Sequence, residues 1–108
     1  MTTPKIFTLH IGLSGHSFPG DCKAVDAVTD LLAARFPSFS ITEGTGYFRG
    51  GRETTLIVTI ATLETRQVIL AASALRELLK QDGVGVGYRG RYHRVTAGGI
   101  PELDEDPA

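Results

Sequence analysis

At 108 residues and a formal net charge of −1, the chain has room for one domain around one modest core. Its 42% apolar and 21% charged content belongs to an ordinary globular protein, not to a disordered or fibrous one. No apolar run reaches the roughly 18 residues that span a membrane, and "MTTPKIFTLH" lacks the charged and then apolar regions of an export signal. A cytoplasmic setting is the expectation. Cys22 is the only cysteine, so neither an internal disulfide nor a zinc knuckle is available, and it reads as a packing thiol near a helix start.

Charge is unevenly placed. The tail 101–108, "PELDEDPA", holds four acids (Glu102, Asp104, Glu105 and Asp106) and no base. Residues 1–101 therefore carry 11 basic against 8 acidic side chains, a balance of +3. The tail reads as disordered and solubilising, and residues 1–100 as a single domain. Just before the tail, Arg89, Arg91 and Arg94 occur without an acid among them.

"KIFTLHIGL" alternates, with Phe7, Leu9, Ile11 and Leu13 on one side and Ile6, Thr8, His10 and Gly12 on the other. It predicts a strand with one apolar and one mixed face. "SGHSFPGD" is a loop, and Asp21 is a suitable N-cap for the amphipathic helix predicted over 22–36. Pro37 stops that helix. "SFSITEGTGYF" alternates again, and its glycines leave one face bare, which marks close approach of a backbone or a ligand. "RGGR" reads as the hairpin tip, with Gly50 and Gly51 supplying positive φ. "ETTLIVTIAT" is the partner strand, rich in β-branched residues. A second helix is predicted over 65–81, ended by Asp82-Gly83. "VGVGYRGRYHRV" reads as one last strand over about 84–95, with Val84, Val86, Tyr88 and Tyr92 on one face.

The expected fold is α+β: a ferredoxin-like βαββαβ chain with a four-stranded antiparallel sheet, two helices on one face and an extended second hairpin. The other face, carrying Ile6, Thr8, His10, Thr55, Ile57 and Thr59, is left open. A half-apolar open face argues for cover by another subunit or a ligand.

The segment with "RFP", "GYFRGG", a glutamate and "TTLIVTIAT" resembles the PII-type signalling and CutA-type proteins, and a small uncharacterised bacterial family of the same topology. The matching positions are Tyr47, Phe48, Gly50, Glu53, Thr54 and Thr55. The resemblance implies a trimer that buries its open sheet faces and binds small anions in clefts between neighbours. A protruding hairpin could then bring Arg49 and Arg52 to the neighbour's Arg89, Arg91 and Arg94, which the single subunit would keep apart.

The candidate ligand site is Arg49, Arg52, Tyr47, Tyr88, Arg89, Arg91, Tyr92, Arg94 and His10. Arginine's planar fork suits phosphate, and tyrosines stack on bases. The last three arginines are expected on one face of an edge strand. A His16, Asp21 and Cys22 set has the spacing of no standard metal site. "LHIGLS" resembles the His-x-Thr/Ser motif of two-histidine phosphoesterases, but position 12 is glycine and "HRV" offers no second copy. "TTLIVTIA" lacks the aromatics of an RNA-binding sheet, so nucleic acid is not an expected partner. No catalytic residues, metal ligands or cofactor are assigned. The expected function is non-catalytic binding of an anionic small molecule, a phosphorylated or nucleotide-type signal, by a homo-oligomer acting as sensor or sequestering sponge. The alternatives are a cofactor-free enzyme with His10 facing an enclosed pocket, and a structural interaction module.

Overall fold

The computed structural model describes residues 3–13, 21–48 and 50–97. His16, Arg49 and the acidic tail, with the expectations placed on them, lie outside the described residues. The elements run β1 (Lys5–Gly12), α1 (Asp21–Ala33), β2 (Ser40–Phe48), β3 (Gly51–Thr62), α2 (Thr65–Leu78), β4 (Gly83–Tyr88) and β5 (Arg91–Thr96). The fold is α+β, with a five-stranded antiparallel sheet in the order β2-β3-β1-β4-β5.

The alternation in β1 does what the sequence pattern requires: Phe7, Leu9, Ile11 and Leu13 are buried. Leu56, Val58 and Ile60 of β3, and Val84 and Val86 of β4, face the same way. Val28 and Leu32 of α1 join Val68, Ala72 and Leu75 of α2 over them, in one core. Phe7 and Tyr88 stack within it, 4.7 Å between ring centroids. A single face of the sheet is thereby dry, and the opposite face is the one on which a site can be built.

Three local expectations are corrected. The last strand is two strands, so the sheet has five members and not four. Tyr88 pairs with Arg91, leaving Arg89 and Gly90 as a two-residue turn with φ of 53° and 78°. Positive φ at both positions is the pattern whose twist suits a tight hairpin. β5 therefore returns along β4 and not beyond it, and Tyr92 falls on the face opposite Tyr88. In the other hairpin Phe48 pairs with Gly51, so Gly51 opens β3 and only Gly50, at φ 83°, takes the left-handed conformation in the described part of the turn. Finally, α2 ends before Asp82-Gly83. Lys80 takes the left-handed position, at φ 53°, while its N–H donates to Glu77 and that of Gln81 to Arg76. These are the crossed bonds of a Schellman cap, made here without glycine.

α1 also stops short of Pro37. The N–H groups of Arg35 and Phe36 both donate to the Leu32 carbonyl at 2.9 Å, and Phe36 tucks back into the core. The β2–β3 hairpin outruns β1: its pairing continues from Gly44–Thr55 to Phe48–Gly51, while the β1–β3 register ends at Gly12–Thr55. The sheet thus carries an overhang at the end where β4 begins.

Candidate functional site

Beneath that overhang, on the face away from the helices, lies a groove of about 640 Å³. This is within the usual range of small-molecule sites. Its floor is glycine: Gly12 from β1, Gly46 from β2, and Gly83 and Gly85 from β4. Alternate positions in a strand share a face, so "GVGVG" at 83–87 exposes bare backbone on this face while Val84 and Val86 fill the core on the other.

The side chains around the floor lie where a Cβ would otherwise stand. A Cβ on Gly12 would sit 2.5 Å from Glu53 Oε2, and one on Gly83 would sit 2.5 Å from Arg94 Nε. One on Gly85 would run into the Tyr92 ring, one on Gly46 into the Thr55 hydroxyl, and one on Gly87 into the Thr8 hydroxyl. The glycines are therefore seats for Glu53, Arg94, Tyr92 and the two threonines. Asp82 and Gln81, on the connection from α2 to β4, close one side. Tyr47 and Arg52, a cross-strand pair of the overhanging hairpin, contribute at the other.

His10 stands in the middle. It pairs with Ile57 on one side and Gly85 on the other. Its Nε2 is 3.0 Å from the Thr8 hydroxyl, and its ring meets Tyr92 edge-on, 5.6 Å between centroids and 63° between planes. Tyr92 is still 62% exposed.

Of the residues singled out from the sequence, the groove gathers Tyr47, Arg52, His10, Tyr92 and Arg94. Tyr88 is 8% exposed, stacked on Phe7 in the core, on the opposite side of the sheet. Arg89 is in the β4–β5 turn, and Arg91 is the first residue of β5, in register with Tyr88. Both belong to the end of the sheet away from the groove. The expected shared face for Arg89, Arg91 and Arg94 is thus corrected: the turn removes Arg89 from the strand, and an odd spacing puts Arg91 and Arg94 on opposite faces. A second correction concerns distance. Arg52 and Arg94 line one groove within a single subunit, although β2 and β5 are the two edges of the sheet.

Sequence reasoning passed over Glu53, Thr55, Gln81 and Asp82 as site residues. Glu53 was legible as the residue opening the third strand, and the bare face of "VGVGY" was there to be read as a floor. The acids change the electrostatics: Glu53 and Asp82 balance Arg52 and Arg94. Such a groove suits a ligand that carries both signs of charge better than a polyanion. Among the described residues, no group of three or more His, Cys, Asp or Glu side chains is placed to hold a metal ion. Nor is any helix there long and apolar enough to cross a membrane.

No family model matches the chain, and no curated protein does. Among solved structures, the chain is similar to a phage SAM lyase in its apo state, with 19% identity and a TM-score of 0.63 over 92% of this chain and 94% of that one. It is likewise similar to a phage SAM lyase in complex with S-methyl-5′-thioadenosine, with 21% identity and a TM-score of 0.57 over 91% and 93% of the two chains. At these identities the likeness is one of fold.

Proposed function

We propose that the glycine-floored groove binds an adenosyl sulfonium of the S-adenosylmethionine type, and that the protein cleaves it to S-methyl-5′-thioadenosine. The observation that carries this reading is the mixed charge of the groove. Glu53, Asp82, Arg52 and Arg94 all line the groove around its bare floor, with the Tyr92 and His10 rings beside it. S-adenosylmethionine has a sulfonium, an ammonium, a carboxylate and a purine, one partner for each kind of side chain present. The similarity of fold to phage SAM lyase supports the choice among zwitterionic ligands. The strand order keeps the split βαβ arrangement in β2-β3-β1-β4 and adds β5 at its edge.

The chemistry asks little of the protein. The substrate's own carboxylate oxygen attacks its Cγ, the Cγ–S bond breaks, and its electron pair goes to sulfur. The products are a neutral thioether and homoserine lactone, and no proton moves. Opposite charges disappear in this step, so a site that strips water from carboxylate and sulfonium favours it. The residues' work is to fold the aminobutyrate arm back on itself and hold it there. Since no proton moves, the step calls for neither a general acid nor a general base.

Incubation of the purified chain with S-adenosylmethionine, followed by chromatography and mass spectrometry, is the test. Stoichiometric S-methyl-5′-thioadenosine and homoserine lactone are expected. Absence of turnover with retained binding would leave a second reading, favoured by the convergence of Arg52 and Arg94: non-catalytic capture of an anionic nucleotide-type signal. Stabilisation by mononucleotides or cyclic dinucleotides, and not by S-methyl-5′-thioadenosine, would identify that case.

A further inference from the structure

We propose that Tyr92 is the stacking platform for the ligand's purine ring, and that Thr8 and His10 are the props that fix its plane. This assignment rests on the adenosyl reading above. The Tyr92 ring lies against the backbone of Gly85, and a Cβ there would meet its Oη, Cζ and Cε2 atoms. Its edge is buttressed by the His10 imidazole at 5.6 Å. His10 is in turn held through Nε2 by the Thr8 hydroxyl at 3.0 Å, and Gly87 leaves the space in which that hydroxyl sits. Two glycines and two side chains thus support one aromatic ring from beneath and from the side.

The ring so supported is nevertheless 62% exposed and borders the groove. A tyrosine pinned on one side and open on the other is already ordered before a ligand arrives, so little rotamer entropy is lost on stacking. Tyr47 is the other exposed tyrosine of the groove, at 74%, but no ring contact or hydrogen bond to another described residue fixes it. It is placed to cover a ligand rather than to carry one.

The chain has no tryptophan and three tyrosines, so tyrosine emission reports stacking directly. The probe is S-methyl-5′-thioadenosine, titrated into the full chain by calorimetry and by fluorescence. Loss of one stacked base contact predicts about tenfold weaker binding for Tyr92→Ala. Tyr92→Phe should bind within about twofold of wild type while losing the quenched component of the emission. Thr8→Val should weaken binding about threefold, and Thr8→Ser should restore it, because only the hydroxyl is being tested. Tyr47→Phe should keep the quench. Wild-type affinity in a folded Tyr92→Ala, or a quench that survives Tyr92→Phe, overturns the platform and leaves the adenosyl reading standing. A wild type that shows no binding overturns both. Should Tyr92→Ala fail to fold, Gly85→Ala displaces the same ring, and wild-type affinity there overturns the proposal equally.

Discussion

Lys80 holds a backbone conformation that an L side chain enters only against its Cβ. It does so because the Schellman bonds at the end of α2 need a left-handed residue there, and glycine, which fits without cost, stands three positions further on as the start of β4. Lys80→Gly is expected to stabilise the fold by about 0.5–1 kcal/mol, and Gly90→Ala, at φ 78°, to destabilise it by a similar amount or more. Thermal melts of the two variants should move in opposite directions. At the groove, one charge-assisted contact is worth about 1.5–3 kcal/mol. Glu53→Gln and Arg94→Ala should therefore each lower affinity for S-adenosylmethionine tenfold or more, with melting temperatures within a degree or two of wild type. Arg91→Ala should bind as wild type does, since its register position is beside Tyr88 at the far end of the sheet. Calorimetry across these three variants checks the placement, and equal losses at Arg91 and Arg94 would sink it.

The β4–β5 hairpin shows how an element can hide in a readable sequence. "GYFRGG" and "GYRGRY" share an aromatic-Arg-Gly core, and both close two-residue turns. The first was legible as a turn because two glycines stand together between strongly alternating strands. The second has one glycine after an arginine that must itself take positive φ, an uncommon choice for a long side chain. The signal that could have found it is a change of phase. Apolar positions are even at Val84, Val86 and Tyr88, then odd at Val95, and no single strand keeps one face through such a shift. β5 owes its place to Val95, which is fully buried among the α2-facing side chains. Val95→Ala removes two methyl groups from that contact and should cost about 1.5–3 kcal/mol. A denaturant titration measures it, and a change under half a kcal/mol would mean that β5 is held by its ladder alone.

For the molecule as a whole, the core was written in the sequence far more plainly than the site. Period-two alternation in β1 named Phe7, Leu9, Ile11 and Leu13 as buried, because burial is imposed on each residue by its own face. The groove depends on where strands meet, and that rests on a turn with a weak local signature. Among the described residues, nothing covers the far part of the open face. Ile6 is 57% exposed there, opposite Ala61 and diagonal to Thr59. A second copy covering that surface is expected, with a trimer the form implied by the family resemblance. Sedimentation that finds only the 11.6 kDa monomer throughout the micromolar range would remove this expectation.

β4 is enclosed between β1 and β5 rather than lying at the rim. In deuterated water this position has a direct signature. Amides of a strand flanked on both sides alternate between two partners, and both sets are shielded, whereas every second amide of a rim strand points to solvent and exchanges early. Val84 to Gly87 should therefore retain their protons as a block, on the timescale of β1 and not that of β2, until the sheet opens as a unit. Were β5 to peel away before the rest of the sheet, half of that block would exchange ahead of the other half. The time between the two halves then measures how firmly the fifth strand is attached.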